Sequence, residues 1–94
     1  MTVANLSMPA VNTEYTYTLP ANTVQYKIKM RADDVPFLLA TTTGKLPTSG
    51  DGSAYMTIAA YYTESTAGLD LSGKTLYLQT ASVSQVAEII VYTA

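Results

Sequence analysis

Few side chains of this sequence could carry out chemistry. The chain contains no histidine and no cysteine, which excludes imidazole-based triads, thiolate nucleophiles and metal sites built on either residue. A paired-carboxylate site needs two acids held across a cleft, but five of the seven acids lie in predicted loops or turns. We therefore predict no catalytic residue and no enzymatic activity. The seven acids are Glu14, Asp33, Asp34, Asp51, Glu64, Asp70 and Glu88.

The loop acids Asp33, Asp34 and Asp51 could supply the oxygen ligands that calcium prefers. Their spacing matches no calcium-binding loop, and neighbouring residues of an extended chain point in opposite directions. We expect solvated side chains that form turns, with a calcium-stabilised adhesion domain as the alternative. No metal site and no cofactor are predicted.

Three of the five cations, Lys27, Lys29 and Arg31, fall on one face of one predicted strand. Such a ridge can bind phosphate or an acidic partner, but lysines on an exposed strand also prevent unwanted edge pairing. We favour the second interpretation, because Asp33 and Asp34 follow at once and neutralise the ridge. The net charge of −2 also argues against direct nucleic-acid binding, which requires a surplus of cations.

Eight tyrosines without a tryptophan allow a carbohydrate-binding β-sandwich module, in which exposed rings stack on sugars. Tyr15 and Tyr17 share one face of a predicted strand, so we expect their rings in the core and their hydroxyl groups at its rim. Tyr61 and Tyr62 are adjacent in a predicted strand and must face opposite ways. Because tyrosine is enriched in protein interfaces, we expect the outward-facing member of this pair to contact another protein.

Alternation of apolar and polar residues dominates the chain and is typical of strands with one buried face. In the run from residue 24 to 31, the residues predicted to face inward are Val24, Tyr26, Ile28 and Met30. About seven strands, spaced about 8–12 residues apart, predict an all-β domain: a small antiparallel β-sandwich or a jelly-roll-like barrel of about seven to eight strands. The other predicted strands cover residues 14–19, 37–42, 54–62, 74–80 and 86–93.

The predicted strand over residues 54–62 is apolar on both faces, so we place it in the centre of a sheet or at an interface. Residues 64–68 are expected to end it, and Leu69 and Leu71 to form a short ledge. The helix candidate, residues 82–89, is so short that we expect a turn instead.

The N-terminal residues 1–13 are predicted to form an arm or edge segment, and residues 14–94 a single β-sandwich domain. The apolar residues of the segment are Val3, Leu6, Met8 and Val11, and Pro9 excludes a helix. An apolar terminal segment must dock to stay ordered. We expect it to pair within its own sheet, because consecutive segments usually pair locally, while exchange with a neighbouring subunit stays open.

The composition is typical of a protein that is covered by neighbours. Only 13% of the residues are charged, about half of the usual share, and hydroxyl groups cost much less to desolvate than ions. We expect no membrane partner, since no run approaches the ~20 apolar residues that cross a bilayer. Residues 1–10 also lack the basic and apolar regions of a secretory signal.

Two turn motifs and their flanking strands carry a family resemblance. The first motif is YTYTLPANT (residues 15–23), which leads into the strand ending at Arg31, a Gly-Ser loop and YMTI (55–58). The second is LDLSGKTLYLQ (69–79), followed by the closing strand VAEII (86–90). Over residues 14–93 this layout resembles small virion proteins of tailed bacteriophages, the β-sandwich type encoded among head genes.

The resemblance implies a non-enzymatic viral structural protein that binds capsid subunits as a decoration or cement protein. Its implied partners are the major capsid protein or other virion subunits, its implied form is a homo-oligomer, and its implied location is the virion, assembled in the host cytoplasm. A head-to-tail or tail accessory protein is the alternative within the same family. The candidate interface residues are Val3, Leu6, Met8, Val11, Tyr61 and Tyr62.

Overall fold

The computed structural model describes residues 1–67 and 71–94. Within these residues every regular element is a β-strand, because one buried face per strand imposes the two-residue rhythm of the sequence. Two antiparallel four-stranded sheets result, with the orders β1-β8-β3-β6 and β2-β7-β4-β5, and the predicted all-β sandwich is confirmed. The strands are β1 (Thr2–Met8), β2 (Tyr15–Thr18), β3 (Thr23–Met30), β4 (Phe37–Ala40), β5 (Met56–Ile58), β6 (Glu64–Ala67), β7 (Thr75–Gln79) and β8 (Gln85–Thr93).

The strand pairing has the jelly-roll topology. Strand β1 pairs with β8, β2 with β7, β3 with β6 and β4 with β5, as in one long hairpin folded at the β4–β5 connection. The pairs β3–β8 and β4–β7 then join these ribbons into two sheets, the arrangement of two Greek keys in eight strands. This order leaves β1 and β2 at one side of the sandwich and β5 and β6 at the other.

The core lies between the two sheets and is filled by inward-facing residues of every strand except β6. On β3, Tyr26, Ile28 and Met30 are buried, whereas Lys27 and Lys29 lie on the outer face of the sheet. The inner faces of both sheets contribute to one continuous apolar cluster, while the described residues of β6 are half-buried or exposed.

The first residues of β3 depart from the predicted alternation. Val24, predicted to face inward, is 44% exposed, whereas Thr23 is buried. The pairing of β3 with β8 shifts register between Thr23 and Gln25, and such a bulge reverses the side-chain alternation on one side of it. The buried Thr23 hydroxyl donates a hydrogen bond of 2.7 Å to the Pro20 carbonyl, which offsets the cost of burying it.

The predicted strand over residues 54–62 is largely wrong. Only Met56–Ile58 is extended, and β5 lies at the edge of its sheet rather than in the centre. Residues 59–63 turn towards β6, and the backbone amide of Tyr61 donates a 2.7 Å hydrogen bond to the Asp33 carbonyl. The apolar character of both faces therefore comes from an exposed corner and not from a central strand.

The expected break after this segment is also wrong, because residues 64–67 form β6 and pair with β3. Of the predicted ledge, Leu71 is buried in the core, while Leu69 lies outside the described residues. The helix candidate is not helical: residues 81–84 bend, and β8 begins at Gln85.

The N-terminal segment belongs to the domain's own sheet. Strand β1 pairs with β8 along its whole length, from Thr2 opposite Val91 to Met8 opposite Gln85. It is thus an edge strand of seven residues, nearly as long as the central strands β3 and β8.

The long β4–β5 connection, residues 41–55, covers the outer face of the β2-β7-β4-β5 sheet. Gln79 lies on that face, opposite Leu38, yet it is almost fully buried and accepts a hydrogen bond from the Ser49 hydroxyl. Leu46 of the connection is also fully buried, outside the central cluster. The Glu14 carboxylate accepts a 3.0 Å hydrogen bond from the Gly44 amide and holds the start of the connection.

Candidate interaction surface

Large apolar side chains are exposed together at the β5–β6 side of the sandwich. The exposed fractions are 49% for Met56, 80% for Tyr61 and 55% for Tyr62. Met56 and Tyr62 line one shallow groove, and Tyr61 and Tyr62 line the next. We call these three residues the tyrosine corner, a name that here does not refer to the motif of immunoglobulin-like domains. Two rings and a thioether of this exposure form a cluster of the kind that marks interaction sites.

The backbone of the corner is held in an unusual conformation. Tyr61 has a φ of 65°, in the left-handed region that costs a residue with a Cβ atom about 1–2 kcal/mol. Its amide is fixed by the bond to the Asp33 carbonyl, and the Tyr62 amide donates a 3.3 Å hydrogen bond to Ala59. Strained positions of this kind cluster at functional sites. The fold therefore presents an exposed aromatic side chain from a strained, hydrogen-bonded backbone position.

The groove beside Tyr61 is too small to be a small-molecule pocket. Its volume is about 180 Å³, and the remaining lining residues are Lys29, Met30, Asp33, Val35 and Thr63. Pockets that bury drug-sized ligands measure about 300–1,000 Å³. The groove suits one inserted side chain of another protein better than a whole cofactor.

Two of the three cations of the basic ridge next to the corner, Lys29 and Arg31, are paired with acids. The Lys29 ammonium lies 2.9 Å from Asp33 and 3.5 Å from Glu88, and the Arg31 guanidinium lies 2.9 Å from Glu88. Neutralisation by Asp33 follows the sequence expectation, but in the described parts of the chain the second acid is Glu88 and not Asp34. Lys27 lies 5.7 Å from the centre of the Tyr92 ring, within the range of a cation–π contact.

These contacts shift the pKa values of the groups involved. The hydrogen bond from Arg31, helped by the charge of Lys29, holds the pKa of Glu88 below its ordinary value. The hydrogen bond to Asp33 raises the pKa of Lys29, with Glu88 contributing. Both groups are therefore held in their charged forms, and Lys29 and Arg31 form paired charges rather than a free positive patch.

Both residues of the predicted interface pair, Tyr61 and Tyr62, are exposed, although the sequence predicts that only one of them faces outward. The expectation assumed a strand, in which adjacent residues face opposite ways. Both residues instead lie in the β5–β6 turn, where the left-handed Tyr61 reverses the chain direction. Met56 is not among the interface residues predicted from the sequence; the signal for it is the apolar character of both faces of residues 54–62.

The four N-terminal candidates separate into two groups. Met8 is fully buried and Leu6 half-buried, and both pack in or against the chain's own core. Met8 is therefore wrong as an interface residue, because the side chains of β1 that face inward fill the space between the sheets. Val3 and Val11 are 58% and 45% exposed, but they lie at the β1–β2 side, away from the tyrosine corner.

The acids considered for calcium do not come together. Residues 1–67 and 71–94 contain no group of three or more acidic side chains placed to hold a metal ion. Asp51 accepts a 3.0 Å hydrogen bond from the Ser53 amide, and its hydrogen bonds with Ser53 lower its pKa. Asp70 lies outside the described residues. The same residues contain no helix long and apolar enough to cross a membrane.

In comparison with known proteins, no family model, curated protein or solved structure matches the chain.

Proposed function

We propose that this chain is a non-enzymatic structural protein that binds other protein subunits through its tyrosine corner, as a decoration or cement protein of a virus capsid. The observation that carries the proposal is the Tyr61 side chain, 80% exposed on a left-handed backbone beside two further exposed apolar side chains, Met56 and Tyr62. The ring buries little surface in its own domain, and strained backbone positions cluster at functional sites, so an exposed ring at such a position points to contact with another molecule.

The energetics of the corner suit a protein interface. Tyrosine and methionine are enriched in such interfaces, and truncation of a tyrosine hot spot costs about 2 kcal/mol or more of binding energy. The corner is also partly ordered before binding, because hydrogen bonds to Asp33 and Ala59 already fix the backbone of Tyr61 and Tyr62. Less conformational entropy is therefore lost on association.

The capsid as partner is supported by the layout resemblance and by the chemistry of the surface. Jelly rolls occur in viral capsid and lectin domains, but a fold alone does not assign a function. The low charge content lowers the cost of covering this domain with neighbouring subunits. The proposed partners are the major capsid protein or other virion subunits, in the virion. A place in the head-to-tail region or the tail is the alternative.

A carbohydrate-binding module is the second candidate. The Tyr61 ring could stack on a sugar while Asp33 and Thr63, which line the same groove, bind its hydroxyl groups. The neighbouring Met56 offers nothing to a hydroxyl-rich ligand, and the groove is small. A protein partner therefore fits the whole corner better than a sugar does.

The proposal is tested by particle binding. Virus-sized particles are purified from the source material, the chain is detected in them by mass spectrometry, and particles depleted of it are reconstituted with purified protein. We expect Tyr61→Ala to bind about tenfold or more weakly, since a hot-spot tyrosine is lost. Val83→Ala is the matched control, because Val83 is 62% exposed in the β7–β8 connection.

Three outcomes would contradict the proposal. The chain could be absent from purified particles, or Tyr61→Ala could bind them as well as the wild type does. A glycan array could also reveal a sugar that binds the wild type but not Tyr61→Ala, in which case the carbohydrate-binding function replaces the structural one.

A further inference from the structure

Strand β1 is an unusually open sheet edge for a soluble domain. Within residues 1–67 and 71–94, the other edge strands are shorter: β2 and β6 have four residues and β5 has three, whereas β1 has seven. Proteins usually protect long edges with charged residues, proline or bulges, because an edge presents unpaired backbone amides and carbonyls. The sequence of β1, TVANLSM, contains no charge and no proline, and its pairing with β8 is regular throughout.

We infer that the β1 edge binds the β1 edge of a second copy of this chain, so that two β1-β8-β3-β6 sheets join into one eight-stranded antiparallel sheet. An isologous pair of this kind places the same strand on both sides of a two-fold axis. Backbone hydrogen bonds across the axis would satisfy the open edge on both copies at once.

A second copy can pair with this edge along its whole length without a charge clash. Overlap of all seven residues places Asn5 opposite Asn5 of the copy, Val3 opposite Ser7, and Ala4 opposite Leu6. This register keeps inner-face residues opposite inner-face residues, since the two members of each pair differ by an even number of positions. It also opposes no like charges, because β1 carries none.

The side chains of β1 gain contacts in this register. Ala4 and Leu6 already pack against the core but are only half-buried, and each would contact the other in the second copy. Val3, 58% exposed, would be covered in part on the outer face. The dimer would therefore extend both the hydrogen-bond ladder and the apolar core across the axis.

The inference goes beyond the proposed function and does not depend on it. Strands β1 and β6 are the opposite edges of their sheet, so the tyrosine corner stays free in the dimer. The dimer can be present while capsid binding is absent, and the reverse also holds.

Sedimentation of the full chain tests the dimer. We expect the wild type to form dimers and Asn5→Lys to raise the dimer dissociation constant about tenfold or more, because like charges would meet at the axis. Asn5 is exposed and lies opposite Glu88, so a lysine there does not weaken the monomer. Ala67→Lys is the control, since it places the same charge on β6, the opposite edge of the same sheet.

Cross-linking through introduced cysteines tests the register. Every disulfide must then join introduced residues, because the chain has no cysteine of its own. Opposite Cα atoms in antiparallel strands lie about 4.5–5.5 Å apart, within the disulfide range, so Asn5→Cys should form a covalent dimer under mild oxidation. Val3→Cys alone should not, because two copies of that position lie about 14 Å apart along the strands. A mixture of Val3→Cys and Ser7→Cys should cross-link.

The inference is overturned if the wild type stays monomeric up to its solubility limit, or if Asn5→Lys and the wild type dimerise equally. It is also overturned if Val3→Cys alone cross-links as fast as Asn5→Cys. A dimer that survives Tyr61→Ala while particle binding is lost separates this inference from the proposed function.

Discussion

Replacing Tyr61 with glycine and with alanine separates backbone strain from ring contacts. The ring is 80% exposed, so about a fifth of a tyrosine area of about 200 Å², or about 40 Å², is buried in the free chain. At about 25 cal/mol per Å², both substitutions lose about 1 kcal/mol of ring contact.

Glycine recovers part of this loss and alanine does not. The φ of 65° at Tyr61 costs a residue with a Cβ atom about 1–2 kcal/mol, and glycine avoids that cost. Glycine also makes the unfolded chain more flexible, which costs about 0.4–1 kcal/mol. Tyr61→Gly should therefore be about 0.5–1 kcal/mol more stable than Tyr61→Ala, or roughly 2–8 °C in Tm for a domain of this length.

Tyr62 provides the matched control, because it is exposed in the same turn but has an ordinary φ. There the order should reverse, with the glycine variant about 0.4–1 kcal/mol less stable than the alanine variant. Thermal unfolding followed by circular dichroism at low protein concentration measures all four variants. The same order at both positions, or equal stability of the two Tyr61 variants, would refute the inferred strain at this site.

Three further predictions concern the stability of the domain. Thr48→Gly should stabilise it by about 0.5–1 kcal/mol in urea unfolding, since this β-branched residue has a φ of 69°. Gly50→Ala should destabilise it by about 1–3 kcal/mol in the same assay, because an added Cβ atom would collide with the Gly44 backbone. The lowered pKa of Glu88 stabilises the fold above the ordinary value of 4.5, and this contribution is lost as the pH falls through the folded-state pKa. The Tm of the wild type should therefore fall more steeply below pH 4.5 than the Tm of Glu88→Gln.

The strands that bury one face could be predicted from the sequence. In β3, Tyr26, Ile28 and Met30 alternate with lysines, and the buried face alone sets that rhythm. The pattern failed at Val24, because a bulge depends on the pairing partner in β8 and leaves no mark in local periodicity. It failed again at residues 64–67, which form β6 although their composition is that of a loop.

The candidate site could be predicted only in part. The sequence shows Tyr61 and Tyr62 as an adjacent aromatic pair. Their joint exposure depends on the left-handed backbone of Tyr61, and a tyrosine in the sequence does not indicate that conformation. Met8 was misassigned, because an apolar residue in a terminal segment looks the same whether it fills its own core or a neighbour's surface. The covering of the second sheet by residues 41–55 depends on side-chain contacts such as that between Ser49 and Gln79, which are distant in sequence.

The two proposed surfaces together predict a bivalent dimer, which carries one tyrosine corner on each copy of the chain. If β1 joins two copies, the strand orders place the tyrosine corners at the two far ends of the eight-stranded sheet. Under the proposed function, one dimer would bind two capsid subunits. The second binding event would then be intramolecular, which raises the overall avidity although each tyrosine corner makes the same contacts as in a monomer. Asn5→Lys should therefore weaken binding to whole particles much more than binding to a single immobilised capsid subunit, whereas Tyr61→Ala should weaken both. Equal loss in the two formats for Asn5→Lys would mean that the dimer interface and the tyrosine corner do not act together.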